Sequence, residues 1–406
     1  MKVVKNQPNE QPLWKRNLVV LWFGTFMTGV GGSSISPFLS LFVDTLGHFT
    51  HAQLNLQSGV IFASTYLMTA IVSPFWGKLA DTKGRKPMLL RASMGMAITI
   101  FLMGFVTSTW QLMLLRLLLG AFSGFVSNSV ALMAIITPKE KSGRVLGTLS
   151  TGMVSGTLLG QVFGGVIVNQ TGYRATFWIT GLIMFLVFLL TLFLVREEFE
   201  PLKNQAKLGF RQMMKHLPSV QVIISMLFVT LVIQLTDKSI MPVLSLYVRQ
   251  LVSNPDQVTI ISGIVASAPG AVMMMTAPIL GRLGDRYGQH RVLLGGILLS
   301  FLLYLLQGFS QNIVQVIILR LLVGVSDSAL APSAQVILAR FSPASATGRI
   351  FSYNQMMQSI GAVIGPLAGS AVAAYFNYRM VFIVASGFIL LNLINYLLNA
   401  KRLRQA

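Results

Sequence analysis

The sequence predicts an all-α integral membrane protein in which twelve transmembrane helices form two six-helix bundles that repeat each other in parallel. Three observations support this prediction. Of the 406 residues, 54% are hydrophobic and only 10% are charged, whereas a soluble domain carries roughly 25% charged residues. The apolar residues fall into twelve long stretches, and the last six stretches repeat motifs of the first six.

The predicted spans follow from length, because a helix needs about 20 apolar residues to cross a bilayer core of about 30 Å. Spans 1 to 6 cover Leu18–Leu46, Leu54–Leu79, Met88–Val106, Trp110–Ile136, Val145–Val168 and Arg174–Val195. Spans 7 to 12 cover Pro218–Val248, Val258–Leu283, Val292–Gly308, Val314–Phe341, Ile350–Ala374 and Arg379–Leu398. The predicted domains are an N-terminal tail over residues 1–17, a first bundle over 18–195, a linker over 196–217, a second bundle over 218–398 and a C-terminal tail over 399–406.

The charges predict which way the chain crosses the membrane. There are 31 Lys and Arg residues against 11 Asp and Glu residues, a formal net charge of +20. If the N-terminus is cytoplasmic, most of these cations lie in or beside inner segments, and the outer connections hold only Arg174, Arg249 and Arg379. Cytoplasmic loops are enriched in Lys and Arg, so we expect both termini in the cytoplasm and no nucleic-acid partner. The polar N-terminal stretch leads directly into span 1, which we expect to be retained rather than cleaved.

Several classes of chemistry lack the residues that they need. The chain has no Cys, and its four His residues form no HExxH pattern, so we predict no metal site. No GxxxxGK[ST] loop is present, which argues against ATP hydrolysis. No nucleophile and base are paired in the loops, and the sequence therefore predicts neither an enzyme nor a bound cofactor.

The internal repeat is visible by direct alignment. The segment SPFWGKLADTKGRKPMLL at 73–90 aligns without a gap with APILGRLGDRYGQHRVLL at 277–294. The same offset pairs Arg116 with Arg320, and an offset one residue longer pairs Gly160 with Gly365. Each half has six spans, so the repeat is parallel. Architectures of this kind place a ligand site between the halves and rock one half against the other.

The loop between spans 2 and 3 carries the strongest short motif, GKLADTKGRKP at 77–87. Gly84 can supply the positive φ that a tight turn needs, and Asp81 lies where a carboxylate can face a helix N-terminus. The alternative is a basic loop with a turn glycine and no further role. The Gly–Asp–Gly frame recurs in the second half, which favours a cytoplasmic gate formed by Gly77, Asp81, Gly84, Arg85, Lys86, Gly281, Asp285 and Gly288.

This loop resembles the signature of the major facilitator superfamily, which has the form G-x-x-x-D-[RK]-x-G-[RK]-[RK] after helix 2. Thr82 departs from the first basic position, and the second copy has Gln289-His290-Arg291 where the basic pair would stand. The resemblance covers nearly the whole chain and is greatest to the drug/proton antiporter group. It implies the twelve-helix major facilitator fold and a loop that acts as a latch favouring the outward-open state.

The resemblance also implies a function. It implies a secondary active transporter in the bacterial cytoplasmic (inner) membrane that exports drugs by alternating access as protons enter. The expected partners are amphipathic or drug-like small molecules, protons and membrane lipids, and we expect a monomer. The first alternative is a proton-coupled or facilitative transporter of one metabolite, such as a sugar, an amino acid or an organic anion. The second alternative is a transporter-like sensor or channel.

Span 5 carries glycines at four-residue spacing: Gly152, Gly156, Gly160 and Gly164. Small residues at this spacing form a smooth helix face that lets two helices approach closely. The face resembles the antiporter motif G-x-x-x-G-P-x-x-G-G, although Gln161 replaces its proline; Gly365-Pro366 in span 11 preserves that pair. The alternative is tight packing without a role in antiport.

Five ionisable residues lie within spans: Arg116, Asp237, Lys238, Arg320 and Asp327. Charges inside a bilayer are costly and mark candidate functional sites. Asp327 is the first candidate for the proton carrier, because it lies in mid-span on nearly the same helix face as Arg320, and a desolvated carboxylate there could exchange protons near neutral pH. Asp237 is the second candidate. Asp237 and Lys238 are not expected to pair, because adjacent helix residues diverge by about 100°.

Arg116 and Arg320 do not deprotonate in proteins, so we expect them to act on a nearby carboxylate or on an anionic group of the substrate. The resemblance places Arg116 at the family's proton-coupling position, although Leu119 replaces a glutamine of that motif. The alternatives for all these charges are structural pairs and helix-packing hydrogen bonds. The candidate cavity wall mixes large apolar and few polar residues, with ordinary helix packing as the alternative: Phe26, Met27, Asn128, Met241, Tyr353, Asn354, Met357 and Gln358.

Overall fold

The computed structural model describes residues 13–198, 219–342 and 347–403, and every regular element in these ranges is a helix. The helices α1 to α12 follow the predicted spans in order. The first half contains α1 Leu13–Asp44, α2 His51–Lys83, α3 Arg85–Met103, α4 Thr109–Ile136, α5 over 139–171 and α6 over 173–194. The second half contains α7 Val220–Leu251, α8 Val258–Tyr287, α9 Gln289–Gly308, α10 Ile313–Arg340, α11 Thr347–Tyr375 and α12 Tyr378–Leu403.

Helices α5 and α6 are the two arms of one helical run, Lys139–Leu194, that bends sharply at Gly172. Gly172 has a φ of +81°. This backbone conformation costs little free energy for glycine, whereas a side chain makes it unfavourable for other residues. By length and composition, eleven helices in the described ranges can cross a membrane. This run supplies two crossings, because each arm has more than about 20 residues. Because the bend at Gly172 divides this run into two crossings, the described helices give the twelve crossings that the sequence predicts.

The helices extend beyond the predicted spans at both ends of the chain. Helix α1 begins at Leu13 and α12 ends at Leu403, so parts of both predicted tails are helical. Apolar windows mark the bilayer core, whereas polar turns can continue a helix past it. The predicted linker lies almost wholly outside the described residues, as do residues 1–12 and 404–406 of the predicted tails.

The packing of the helices repeats between the two halves. Helix α1 packs along α5 in the first half, and α7 packs along α11 in the second. Between the halves, α2 packs against α11 and α5 against α8. The main contact within each half and the main contact between halves thus come in symmetry-related pairs.

The two halves are joined at the end that lies away from the chain termini. There the Ser40 hydroxyl donates to the Pro242 carbonyl at 2.5 Å, and the rings of His51 and Tyr378 are 5.2 Å apart. Toward the other end, no described atom of a neighbouring element lies within 4 Å of the position that a Cβ would occupy on Gly77 or Gly281. The two halves are therefore in contact at the far end, called the closed end below, whereas these two glycines border open space at the end that carries the termini.

Candidate functional site

The second half contains a cluster of four ionisable side chains within the membrane-crossing region, Asp237 and Lys238 on α7 and Arg320 and Asp327 on α10. The Lys238 ammonium lies 2.8 Å from Asp237 Oδ2. The expectation that these neighbours do not pair is wrong. Their Cα–Cβ directions diverge, but the four-carbon stem of Lys238 is long enough to bring its ammonium back to the adjacent carboxylate. Both side chains remain partly exposed, at 22% and 38%.

Asp327 differs from Asp237 in having no direct cationic partner. Among the described residues, no Lys, Arg or His nitrogen lies within the 4.0 Å of an ion pair from its carboxylate. Arg320 is 2% exposed, and its Nε donates to the Val265 carbonyl of α8 at 3.4 Å. Arg320, Asp237 and Lys238 are nevertheless close enough to act electrostatically on Asp327. Asp327 is thus a carboxylate in a membrane-crossing helix that lies near three charged side chains but forms an ion pair with none of them.

Arg116 lies in the other half, on α4, with 7% of its surface exposed. Its guanidinium carbon is 5.6 Å from the centre of the Phe62 ring, and its buried Nε has no hydrogen-bond partner in the described part of the chain. Tyr66 of α2 is close enough to act electrostatically on both Arg116 and Lys238. The predicted proton-coupling residues therefore form one cluster of Asp237, Arg320 and Asp327, with Arg116 separate from it.

The predicted gate loop forms a tight structure in the first half. Gly84 has a φ of +94° between α2 and α3, as its turn role requires, and Arg85 donates to Asp81 at 2.6 Å. Glu197 was not predicted from the sequence as part of this loop, but its two carboxylate oxygens accept hydrogen bonds from the backbone N–H groups of Arg85 and Lys86 at 2.8 and 2.6 Å. A carboxylate is favourable at this helix N-terminus. Glu197 thus ties the gate loop to the segment that follows α6.

The second copy of the gate motif uses a neutral residue where the first copy uses a cation. Gly288 also has a φ of +94°. Gln289 donates to Asp285 at 3.2 Å, and its carbonyl oxygen accepts from the Ser333 hydroxyl at 3.1 Å. The turn is therefore conserved between the two halves of the chain, whereas the charge pair is not.

The glycine face of α5 packs directly against the backbone of α1. A Cβ at Gly152 would lie 2.8 Å from the Trp22 carbonyl oxygen, and one at Gly156 would overlap the Phe26 carbonyl. Cβ atoms at Gly160 and Gly164 would likewise overlap Ser33 and Ser34. The second half has a matching face on α11 that packs against α7, formed by Gly361, Gly365 and Gly369.

The candidate cavity residues fall into two groups. Asn128 donates to the Gly124 carbonyl at 2.8 Å, and Asn354 accepts from the Thr230 hydroxyl at 2.8 Å. The Asn128 amide therefore bonds within α4, whereas the Asn354 amide joins α11 to α7. The other residues are partly exposed: Phe26, Met27, Met241, Tyr353, Met357 and Gln358. Of these, Met27, Met241 and Tyr353 also pack against the hydrophobic core.

A second contact that was not predicted from the sequence is an ion pair at the closed end of the molecule. Arg249 Nη1 of α7 donates to Asp44 Oδ2 of α1 at 2.6 Å, so the pair joins the two halves. Tyr173 and Tyr378 are close enough to act electrostatically with both charges. The internal repeat could have indicated this contact. At the offset of 205 residues it aligns Asp44 with Arg249, and it also aligns Tyr173 with Tyr378.

Removing this ion pair is expected to destabilise the contact between the two halves at the closed end. Both side chains are partly exposed, so Arg249→Ala should cost about 1 kcal/mol or less and shift the ratio of closed to open far ends by up to about fivefold. Distances between spin labels on His48→Cys and Ser253→Cys, one in each half, measure that ratio, and the chain has no other Cys. The swapped pair Asp44→Arg/Arg249→Asp should restore the original distribution. An unchanged distribution in Arg249→Ala would show that the pair does not hold this end.

Comparison with known proteins defines the class to which this architecture belongs. The family model described as Major Facilitator Superfamily matches residues 21–234 and 226–405, and the chain belongs to this superfamily. The predicted all-α fold is thereby confirmed, and the protein is a multi-pass membrane protein of a transporter family.

The chain is similar over nearly its full length to proteins called multidrug resistance protein MdtG. It is 46% identical to that of Citrobacter koseri over 399 residues, which cover 98% of each chain. It is also 46% identical to that of Escherichia coli over 398 residues, covering 98% of this chain and 97% of the relative.

Solved structures share the fold at low identity. An inward-facing, unoccupied bacterial homologue of the human lysosomal transporter Spinster superposes with a TM-score of 0.79 at 15% identity, covering 98% of this chain and 99% of that one. The nucleoside transporter NupG superposes with a TM-score of 0.75 at 15% identity, covering 95% and 98%.

Proposed function

We propose that this protein is a secondary active transporter that exports drug-like molecules from the bacterial cytoplasm in exchange for protons, by alternating access. The observation that carries the proposal is the 46% identity, over almost the whole of both chains, to relatives named as multidrug resistance proteins. Both termini are proposed to lie in the cytoplasm, as the excess of Lys and Arg in the inner segments favours. The end that carries the termini then faces the cytoplasm, and the drug is proposed to enter between the two halves from that side.

Proton coupling is assigned to Asp327, with Asp237 as the second carboxylate. Asp327 can change its protonation without breaking an ion pair, whereas protonation of Asp237 removes the partner of Lys238. Protonation from the outer side would cancel a charge inside the membrane and so lower the cost of moving that region between states. Arg320 and Arg116 are proposed to set the local field and to attract anionic groups of a substrate.

The remaining residues are assigned to shape and movement. The gate loop with Asp81, Arg85 and Glu197 is proposed to hold the cytoplasmic ends of α2, α3 and α6 as one unit. The glycine faces of α5 and α11 keep α1 and α7 close within their own halves, so that each bundle of residues 18–195 and 218–398 moves as a rigid body. We propose a monomer that contacts membrane lipids along its apolar surface and needs no cofactor or enzymatic step.

Dye accumulation in inverted membrane vesicles tests the proposal. With an inward-acidic pH gradient, vesicles containing the protein should accumulate a cationic or neutral amphipathic dye well above vesicles without it. An uncoupler should return accumulation to background within the same assay. Transport of a single tight-binding metabolite, with no response to the uncoupler, would instead support the metabolite transporter, and a non-saturating ion current would support a channel.

A further inference from the structure

A small cavity with both polar and apolar lining residues lies between α7, α9, α10 and α12, with a volume of about 20 Å³. Both candidate proton carriers open onto it, Asp237 from α7 and Asp327 from α10. The other polar residues that line it are Thr236, Ser300, Tyr304 and Asn392. The two carboxylates thus share one cavity among these four helices.

Three polar atoms at this cavity have no hydrogen-bond partner among the residues that the structure describes: Thr236 Oγ1, Ser300 Oγ and Asn392 Oδ1. Their residues are only 2%, 1% and 1% exposed. Buried polar atoms are nearly always paired, and a helical threonine hydroxyl commonly bonds back to the preceding turn. Here three such atoms border one cavity, and two carboxylates border the same cavity. This arrangement indicates a ligand that the three atoms bind together.

The size and charge of the cavity identify the ligand. A single water needs roughly 10–15 Å³ and two to four polar partners, which this cavity supplies. A metal cation would find an all-oxygen ligand set, but Lys238 and Arg320 already balance the two carboxylates, so a further positive charge would be costly at this depth. A neutral molecule that both donates and accepts hydrogen bonds fits the site.

We propose that the cavity binds one water molecule that hydrogen-bonds to both Asp237 and Asp327, so that the two carboxylates hold one proton between them. This inference rests on the proposed proton coupling and specifies its site. The proton leaves the Asp327 carboxyl for the water as the water gives one of its own to Asp237. When Asp237 becomes neutral, the Lys238 ammonium loses its partner and is free to turn to Asp327. Ser300, Thr236 and Asn392 act as positioning residues that hold the water.

The charged and titratable groups around this unit come from four helices. Asp237 and Lys238 belong to α7, Arg320 and Asp327 to α10, Tyr304 to α9 and Tyr66 to α2. Helix α12 contributes Asn392, which is neutral. Two carboxylates that share a proton in this environment titrate as a pair, with one common pH midpoint for the first proton.

Infrared difference spectra between acid and alkaline pH test the pair in the purified full-length protein in lipid nanodiscs. The wild type should show one carboxyl band in the first protonation step, and Asp237→Asn and Asp327→Asn should each remove or displace that same band. Asn392→Leu, Ser300→Ala and Thr236→Val should move its pH midpoint by about one unit, because each removes one hydrogen bond to the water that joins the carboxylates. A bound-water O–H band that shifts in H₂¹⁸O should disappear in Asn392→Leu.

The matched control is Ser328→Ala, next to Asp327 on α10, because the Ser328 hydroxyl is bonded to Thr276 at 2.6 Å and does not line the cavity. It should leave the midpoint unchanged, and thermal melting shows which variants are folded. If Asp237→Asn leaves the Asp327 band in place and the cavity variants leave the midpoint unchanged, the shared water is refuted while proton coupling by Asp327 stands. If the wild type has no titrating carboxyl band, both the shared water and the proposed coupling fail.

Discussion

Replacing Asp327 with Asn is expected to reduce dye accumulation driven by a pH gradient to the level of vesicles that lack the protein. Asn has nearly the shape of Asp but cannot take up a proton, and Asp327 is a half-buried carboxylate that forms no ion pair among the described residues. The loss should therefore be in coupling and not in folding. The measurement is accumulation in inverted vesicles at matched protein levels, together with dye exchange in the absence of a gradient, which should persist.

Two other carboxylate variants are compared with Asp327→Asn in the same assay. Asp256→Asn removes an exposed carboxylate outside the membrane-crossing helices and should accumulate dye like the wild type. Asp237→Asn should reduce accumulation and also weaken binding, because it leaves Lys238 without its partner in a partly buried position. If Asp327→Asn accumulates dye at the wild-type rate, the assignment of Asp327 as the proton carrier is wrong.

Replacing Gly156 with Ala is expected to destabilise the protein by about 1–3 kcal/mol, as overpacked cores are. The new Cβ would overlap the carbonyl of Phe26, and backbone atoms cannot rotate away as a side-chain tip can. Helix α5 would have to move away from α1 along the contact that holds the first bundle together. The apparent melting temperature of the purified protein should fall, and transport should fall with it.

Gly147→Ala is the matched control on the same helix, because no atom of a neighbouring element lies within 4 Å of its Cβ position. Without a steric conflict, Ala is favoured over Gly in a helix by about 1 kcal/mol, so Gly147→Ala should melt at the wild-type temperature or above it. Gly361→Ala, the equivalent of Gly156 in the second half, should behave like Gly156→Ala. Equal melting temperatures for Gly156→Ala and Gly147→Ala would contradict the close-packing role of this face.

Features that repeat along the chain could be predicted from the sequence. The apolar stretches gave the helices in the right order, because crossing a bilayer constrains length and polarity strongly. The turns at Gly84 and Gly288 and the close approach at the glycine face also followed from local spacing. In each case the physical constraint acts within one helix or one turn, so it leaves a periodic trace in the sequence.

Contacts between distant segments could not be predicted in the same way. Glu197 caps α3 from the far end of α6, and its position in the sequence gives no indication of that contact. The ion pair of Lys238 with Asp237 depends on the reach of a flexible side chain, which helix geometry alone does not describe. The pair of Asp44 and Arg249 lies between these cases, because the internal repeat aligns the two residues while only the fold shows that they touch.

The most direct test of the central claim is proton movement driven by the substrate in proteoliposomes that contain only this protein. A drug gradient is imposed across the membrane with no initial pH difference, and a trapped dye reports the internal pH. Antiport predicts that drug leaving the liposomes brings protons in and acidifies the interior, and that Asp327→Asn abolishes this change. Drug movement without any change in internal pH, in liposomes shown to be proton-tight, would contradict drug/proton antiport.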